Sequence, residues 1–591
     1  MALPLLLAGP IVRRVEPQLA SVWVALSEPA TVTLKLWEGR VTAGSGNLLN
    51  SSEPPGARTI RVGDELHIAL PLIKILPTSP RLLESGKIYS YDIEITTTSG
   101  THMLKSLGLL TTGTVDGRRV EALGFEENFL PSFVLPPAEI TDLHVIFGSC
   151  RLVNSDHLDA MPWIDDLMRE NPDENPYSYK DANKRPHQLF LGGDQIYADD
   201  VGLCHMHMLI DLSKRLIGDH PPEALENVGE ARELLPVGSI RKRQSNGPPT
   251  KFEDYGPEIK LGAANTSLSD FMLPADHPWF PAGRRYLQSI VDAQMTSTDG
   301  TSHLFAFGEF AAMYLSVWSN AVWTPHRDPR EPELLDLPTM EEVIERAKWP
   351  DTISTYVGSP LNVEEIRNDS PFRDEGYVGY ERKDNGKYED DDGKPLTAAE
   401  KFAKRVDELK LALRRERARL TLFHDGLAKV RRALANIPTY MMFDDHDFTD
   451  DWNLNPLWYD RVYNTDLGVT SARNALASYA VFQDWGNDPI KYEKRDDYKE
   501  LLARIAQLFP TGEPGPVAEA ANRLDALFGF KEQVVSDPVT GRFPARNPVI
   551  KWHYSVPGPK HLAVAIDNRT RRSFVSRLGP PGNVEGSLDP N

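Results

Sequence analysis

The chain has 591 residues and a formal net charge of −20, with a sequence pI near 5.3. A chain of this length is expected to fold as at least two globular domains, each with its own core. The acidic balance argues against a nucleic-acid-binding surface and against attachment to an anionic membrane, because both partners select a basic face.

The amino terminus predicts neither a signal peptide nor a membrane anchor. Residues 1–7 are apolar, but they lack a basic segment and continue directly into an apparent strand. No stretch of the sequence is long and apolar enough to predict a membrane span. The expected location is therefore the cytoplasm. Cys150 and Cys204 permit at most one disulfide, so they leave the redox compartment open.

The first 130 residues predict a separate β domain. Short alternating apolar runs, such as 21–26, 31–37 and 88–95, are separated by Gly, Pro, Ser and Asn. This spacing is typical of an antiparallel β-sandwich. The proline-rich segment 131–137 is predicted to be a linker.

A second domain is predicted from about residue 140 to residue 591. Four apolar runs, at 144–147, 188–191, 440–443 and 562–566, have the length of strands that are buried on both faces. Helical stretches alternate with them, which indicates a layered α/β fold. In such a fold the loops at the carboxyl ends of the strands form the site.

A long insertion, about 215–435, separates the second and third of these runs. Two helical patterns occur there, at 281–323 and 397–435, and the second is rich in Lys, Arg and Glu, which favours a solvated helical hairpin. Between them, 377–395 has the composition of a mobile acidic loop. We expect the insertion to cover the site and to carry substrate preference.

A polar segment follows each apolar run. After the first two runs come Cys150, then Asp194 and Tyr197 behind a pair of glycines. A thiolate, a carboxylate and a phenolate form an anionic ligand set suited to a trivalent ion such as Fe³⁺. Asp194 could also bridge to a second cation.

The third polar segment, 444–451, holds five carboxylates and His446 within eight residues. Their mutual repulsion is difficult to sustain without bound cations, so we expect a second metal here and a proton donor in His446. Two neighbouring metals are suited to the in-line displacement of a phosphoryl group.

Each motif also has a structural interpretation when it is taken alone. Cys150 could be a small buried apolar residue, and the tract from Asp444 could be a helix N-cap cluster with a solvated histidine. The His205 and His207 pair lies in an apparent helix, where positions two apart point to different sides, so we do not assign a metal to it. The order of the segments behind matching strands favours a joint site.

The set of motifs resembles the bacterial alkaline phosphatase D (PhoD-like) family of calcineurin-like metallophosphoesterases. The resemblance covers most of the chain and rests on Ser-Cys at 149–150, Gly-Asp-x-x-Tyr at 193–197, Asp-Asp-His-Asp at 444–447 and Asp-x-Arg at 567–569. It implies an immunoglobulin-like or fibronectin-like β domain. A four-layer αββα metallophosphatase domain with a large helical insertion would follow it.

The resemblance also implies roles for individual residues. Iron would be held by Cys150, Asp194 and Tyr197, with Asp194 bridging. A divalent ion, Ca²⁺, Mn²⁺ or Zn²⁺, would be held by three aspartates. These are Asp445, Asp450 and Asp451.

Two kinds of residue would act directly on the substrate. His446 would protonate the leaving oxygen or stabilise the transition state. Arg151 and Arg569 would clamp phosphate oxygens, for which a planar guanidinium is suited. Asp567 and Arg569 could equally form a structural salt bridge.

One departure concerns the last motif of the family, Gly-Asp-x-His, which does not occur between Arg571 and Asn591. The favoured interpretation is that the sequence is part of a longer chain. Two other interpretations remain open. Either a second chain completes the site, or the protein has lost its activity.

The predicted function is hydrolysis of phosphate esters at a dinuclear metal site, with water activated by the metals. The alternative is a catalytically silent, phosphatase-like protein that binds a polymer or a partner.

Overall fold

The computed structural model describes most of the chain outside the predicted insertion. The described residues are 2–115, 118–169, 177–218, 239–241, 258–260, 285, 289, 293–297, 302–324, 337–338, 398–463, 465–509, 517–530, 548–572, 574–578 and 584–588. They form a mixed α/β fold with antiparallel sheets, several helices and no closed barrel. The predicted acidic loop at 377–395 lies outside these residues. No helix in the described part is long and apolar enough to cross a membrane.

Among the described residues, thirteen strands precede residue 140, and they pair mainly into two antiparallel sheets. The strands are β1 Leu6–Glu16, β2 Leu19–Leu26, β3 Thr31–Glu38, β4 Leu48–Ser51, β5 Ala57–Arg58, β6 Ile60–Arg61, β7 His67–Ala69, β8 Leu72–Lys74, β9 Ile88–Thr96, β10 Thr101–His102, β11 Gly113–Val115, β12 Arg118–Val120 and β13 Ser132–Val134. One sheet has the order β1-β2-β7-β6 with β8 also on β2, and the other has the order β10-β9-β3-β4 with β13 on β9 and β5 on β3.

Alternation along β3 explains how the two sheets share a core. Val32, Leu34 and Leu36 are fully buried, whereas the residues between them are partly exposed. They belong to one apolar cluster with Val22 and Val24 of β2 in the other sheet. Period-two burial of this kind is what an apolar alternation dictates when one face of a sheet is covered.

The segment 131–137 is buried and contains the short strand β13, so the prediction of a linker there was wrong. Ser132–Val134 pairs with β9, and the Ser132 N–H donates to Asn436 Oδ1 at 2.8 Å. Phe133 and Val134 are buried. The flanking prolines suggested a joint, but the apolar residues between them supply a short strand with a core-facing side.

A parallel sheet follows, with the order β14-β15-β18. Its strands and the later ones are β14 Val145–Gly148, β15 Gln188–Leu191, β16 Ser239–Arg241, β17 Glu258–Lys260, β18 Thr439–Met441, β19 Tyr554–Pro557, β20 Leu562–Ala565, β21 Phe574–Leu578 and β22 Val584–Leu588. Phe147, Phe190 and Tyr440 stand side by side in register. The strand β20 pairs antiparallel with β19 instead of joining this sheet.

The expectation that all four motif strands are buried on both faces was correct for two of them. Burial is nearly complete along β15 and β18, whereas β14 and β20 alternate between exposed and partly buried positions. Both of the latter lie at the edges of their sheets among the described residues. Apolarity alone cannot distinguish a central strand from one whose second face is uncovered.

The described residues contain ten α-helical segments. They are α1 Pro162–Met168, α2 Leu203–Ile217, α3 Phe307–Trp318, α4 Ala398–Asn436, α5 Pro456–Tyr463, α6 Asp466–Tyr479, α7 Trp485–Asn487, α8 Pro489–Lys494, α9 Asp496–Gln507 and α10 Val517–Phe528, with a π-helical turn at Ala480–Asp484 and 3₁₀ turns at Ile140–Asp142, Ala182–Lys184 and Asn320–Val322. Much of the first predicted helical pattern lies outside the described residues, and α3 is the α-helix seen in its described part.

The second predicted helical pattern is one continuous helix and not a solvated hairpin. The helix α4 has 39 residues, and Leu420, Leu427 and Leu434, spaced by seven, are buried in its second half. Gly426 lets α1 approach closely, because a Cβ there would lie 2.6 Å from Pro162 Cγ. The many charges suggested solvation, but they flank an apolar stripe that faces the core.

Candidate metal centre

The loops after β14, β15 and β18 meet at the carboxyl ends of these strands. Backbone bonds join them directly, because the Cys150 N–H donates to the Gly193 carbonyl at 3.2 Å and the Ala198 N–H donates to the His446 carbonyl at 2.8 Å. Parallel strands end at the same edge of a sheet, so the three motifs are brought together by topology.

The glycine pair allows two of these loops to touch. Gly193 has a φ of +143°, and a Cβ there would lie 2.6 Å from Asp444 Cβ. A Cβ on Gly192 would lie 2.6 Å from the ring of Phe147. These glycines therefore let the second loop approach Asp444 and Phe147.

Strained backbone conformations concentrate on the same loops. Six described residues other than glycine have a positive φ. Three of them belong to the motifs, namely Cys150 at 59°, Asp194 at 47° and Asp451 at 56°, and Asn453 at 55° lies two residues after the third motif. Conformations of this kind cost free energy and tend to persist at functional sites.

Two groups of carboxylates lie close enough to hold metal ions. One consists of Asp194, Asp444 and Asp445, and the other of Asp445, Asp450 and Asp451, each with ligand atoms within 4.8 Å of one another. Asp445 belongs to both groups. Asp444 was not among the predicted ligands. Asp194 Oδ1 is buried and has no hydrogen-bond partner, which is a costly arrangement unless a cation occupies the space beside it.

The predicted thiol and phenol flank this buried carboxylate. The Cys150 thiol donates to Asp194 Oδ2 at 3.2 Å. Burial and then the carboxylate of Asp194 raise the pKa of Tyr197, and burial raises the pKa of Cys150 despite a bond from Ser149 that opposes it. Both groups are therefore protonated at neutral pH unless a cation favours their anions. The donor set fits a metal of high charge.

His446 is oriented by a carboxylate that the sequence analysis did not include in the site. Its Nδ1 lies 2.8 Å from Asp199 Oδ1, and Asp199 is fully buried. Burial lowers the pKa of His446, but the bond to Asp199 and the charges of Asp199, Asp194 and Asp445 together outweigh it and raise the pKa to about 9. The ring of Tyr197 stacks on the imidazole with centroids 4.5 Å apart. Asp199 follows Tyr197 by two residues, and that spacing was the available signal.

Asp447 ties the second and third loops together. Its carboxylate is buried and accepts N–H groups from Asp194 at 2.9 Å, Gln195 at 3.2 Å and Asp444 at 2.9 Å. The Tyr314 hydroxyl lies 3.4 Å from the same carboxylate. Donors from both loops converge on one side chain, so Asp447 fixes the distance between Asp194 and Asp444.

The two predicted phosphate-clamping arginines have different surroundings. Arg151 is buried, and its Nε and Nη2 donate to Asp159 Oδ2 at 3.1 and 2.6 Å. The Arg151 guanidinium also lies 4.7 Å from the ring centroid of Phe423. The structure thus places this guanidinium against Asp159 and not among the clustered carboxylates.

Arg569, in contrast, lies within the acidic cluster. It forms ion pairs with Asp444 and with Asp445, the latter at 3.2 Å. Asp567 does not pair with the Arg569 side chain but accepts the N–H groups of Arg569 at 3.0 Å and Thr570 at 2.8 Å. Asp567 therefore shapes the turn that carries Arg569 to the cluster.

His205 and His207 are separate from this centre. Both are buried in α2, and burial lowers the pKa of His205 to about 3. His205 Nε2 lies 3.2 Å from Ser316 Oγ, and its ring stacks on Trp323.

No protein-family model matches the chain, and no curated protein matches it significantly.

Proposed function

We propose that the chain is a metal-dependent phosphoesterase of the alkaline phosphatase D type that acts on phosphomonoesters or phosphodiesters. The proposal rests mainly on the two neighbouring groups of carboxylates that share Asp445. The Cys150 thiol and the unpartnered Asp194 Oδ1 lie beside them. In this proposal residues 1–130 are the immunoglobulin-like sandwich domain and 140–591 the αββα metallophosphatase domain. A cytoplasmic location is part of the same proposal.

The residues present fit a dinuclear centre. Fe³⁺ would be held by Cys150, Asp194 and Tyr197, and the ligands of the divalent ion would come from Asp444, Asp445, Asp450 and Asp451. When bound, the two ions would supply the Lewis acidity that activates water and neutralises charge on a phosphate ester.

The remaining steps belong to side chains of the chain itself. With Nδ1 held by Asp199, His446 presents Nε2 as its second proton site, and the bond to Asp199 favours the charged ring by raising its pKa. That proton can pass to the leaving oxygen as the P–O bond breaks. Arg569, on a turn fixed by Asp567, presents a guanidinium suited to a phosphate oxygen.

One observation favours the silent, phosphatase-like alternative. Arg569 pairs with Asp444 and Asp445, so it neutralises two of the carboxylates that a divalent ion would need. In an active enzyme this arginine must exchange its carboxylate partners for phosphate once metals bind.

The test is to measure metal content by plasma mass spectrometry together with hydrolysis of p-nitrophenyl phosphate and its bis-ester. Wild type should carry iron and a divalent ion and hydrolyse an ester, and Asp194→Asn should lose both properties. Asp425→Asn, at an exposed carboxylate far along α4, is the matched control. Metal without hydrolysis would support the silent alternative. Unchanged metal content and activity in Asp194→Asn would contradict both proposals.

A further inference from the structure

Two arginines on the turn 567–572 are held against one short segment of the chain. Arg569 Nη1 donates to the Trp452 carbonyl at 3.3 Å. Arg572 Nη1 donates to the Asn453 carbonyl, also at 3.3 Å, and Arg572 Nε donates to the Asn568 carbonyl at 2.9 Å. Because Trp452 and Asn453 are consecutive residues, the two guanidiniums are neighbours directly after the third motif.

The turn and the segment fix each other in place. Asn453 is buried, and its Nδ2 donates back to the Arg569 carbonyl at 3.1 Å. Within the turn, Asp567 accepts the N–H groups of Arg569 and Thr570 and also the Thr570 hydroxyl. Side chains on a backbone that is fixed in this way lose little freedom when they bind a ligand.

The charges of the two arginines are balanced differently. Arg569 forms ion pairs with Asp444 and Asp445. Arg572 is partly buried, and in the described part of the chain its guanidinium bonds to two backbone carbonyls but to no carboxylate. A partly buried cation without an anionic partner costs free energy, and a bound anion would offset that cost.

Arg572 also lies within electrostatic reach of the candidate metal centre. Burial, and then the like charge of Arg569, lower the pKa of Arg572. The charges that oppose this shift belong to three aspartates of the centre, Asp444, Asp445 and Asp451. In a metal-loaded centre these carboxylates would serve the metals, so the two neighbouring guanidiniums would need another anion between them.

We propose that Arg572 binds the terminal phosphate of a phosphomonoester together with Arg569, and that the chain therefore prefers monoesters to diesters. This inference rests on the proposed function and names the substrate class of the same site. It adds a substrate-binding residue, Arg572, to the arginine that the motifs predicted.

The charge and the free oxygens of the substrate decide between the two ester classes. A phosphomonoester carries about two negative charges at neutral pH and three acceptor oxygens, whereas a diester gives up one charge and one oxygen to its second ester bond. A guanidinium binds such oxygens through its fork of N–H groups. Among the described residues, Arg572 Nη2 has no partner, so it is the donor left for a phosphate oxygen.

Steady-state kinetics with p-nitrophenyl phosphate and its bis-ester test this preference. For Arg572→Gln we expect kcat/KM for the monoester to fall by about tenfold or more, mainly through a higher KM, because a charge-assisted contact to the phosphate is lost. The bis-ester should change little, since it lacks the second charge. Arg571→Gln removes the same charge at the neighbouring position, and this control should leave the ratio of the two activities unchanged.

A second variant separates phosphate binding from support of the turn. Arg572→Lys keeps the charge but loses the rigid fork that bonds to the two carbonyls. We expect this variant to retain most of the preference for the monoester. A purely structural role of Arg572 predicts instead that Lys and Gln lower the hydrolysis of both esters alike, and that result, or no loss in Arg572→Gln, would overturn the inference.

Calorimetric titration with inorganic phosphate distinguishes a failure of this inference from a failure of the proposed function. If wild type hydrolyses neither ester, the proposed function fails, and the phosphate site is judged by binding. We expect Arg572→Gln to weaken the binding of inorganic phosphate by about tenfold and Arg571→Gln to leave it unchanged. Equal affinity in wild type and Arg572→Gln, or no binding by wild type, would overturn the inference even where both esters are hydrolysed.

Discussion

Asp92 and Asp194 are both buried carboxylates whose pKa burial raises, to about 6 in the case of Asp92. Asp92, on β9, accepts the N–H groups of Ile93 at 2.8 Å and Leu104 at 3.2 Å. Asp194 has one oxygen without a partner and two further carboxylates beside it. A buried acid that local backbone groups satisfy serves the fold, whereas one left incomplete beside other acids indicates a ligand.

The largest expected effect, and the strongest test of the contrast between Asp92 and Asp194, comes from substituting Asp194. Under the proposed function, we expect Asp194→Asn to lower phosphate-ester hydrolysis by at least about 100-fold, because the variant loses a proposed charged ligand. In a chelating buffer, however, its thermal stability should equal or exceed that of wild type, because a repulsive charge is removed. Calorimetry with and without EDTA measures both effects. If Asp194→Asn were much less stable than wild type in EDTA, Asp194 would be a structural acid like Asp92.

Asp447 should behave as a case between Asp92 and Asp194. Backbone N–H groups satisfy its carboxylate, as they do for Asp92, but these groups belong to the loops that carry the candidate metal ligands. Asp447→Asn directs an amide at N–H donors, so we expect metal affinity to fall by about 10- to 100-fold with a measurable loss of stability. Terbium luminescence titration reports the affinity. Tyr314→Phe removes the 3.4 Å contact to Asp447 and the hydroxyl that accepts from Gln483 Nε2, but it leaves the backbone donors to Asp447 in place. It is the matched variant and should change affinity little. An unaltered affinity in Asp447→Asn would contradict a positioning role.

Asp199 sharpens the comparison through its partner His446, the proposed proton donor. Asp199→Asn should lower the pKa of His446 from about 9 toward its ordinary value, and hydrolysis should fall by about tenfold. The folded-state pKa lies above the unfolded one, so the ion pair stabilises the fold below pH 6.5 and this contribution is lost as the pH rises to about 9. Proton NMR titration of the metal-free chain measures the shift. Asp200→Asn is the neighbouring control, and an equal shift there would contradict a specific role for Asp199.

The sequence located three of the loops that the fold brings together, but it did not predict the packing around them. The strands before Cys150, Asp194 and Asp444 were found because short apolar runs and the residues after them are local signals. The partners of the two arginines were not predictable. Arg151 pairs with Asp159 and Arg569 with Asp444, and both pairings depend on tertiary contacts that no local sequence pattern indicates. The exposure of β14 was also not predicted, because an apolar run does not indicate whether another element covers both of its faces.

The smallest expected effect concerns Asp92 and is a difference in pH dependence. Its folded-state pKa of about 6 exceeds the ordinary 3.8, so ionisation opposes folding, and the stability present below pH 3.8 is lost as the pH rises through 6. Asp92→Asn keeps the acceptor oxygen for Ile93 and Leu104 but cannot ionise. Urea unfolding should therefore show the variant gaining about 1 to 2 kcal/mol relative to wild type between pH 4 and pH 6, with hydrolysis unchanged. The same pH dependence in the variant and in wild type would mean that Asp92 does not titrate in this range. A loss of hydrolysis in the variant would mean that Asp92, like Asp194, affects the candidate site.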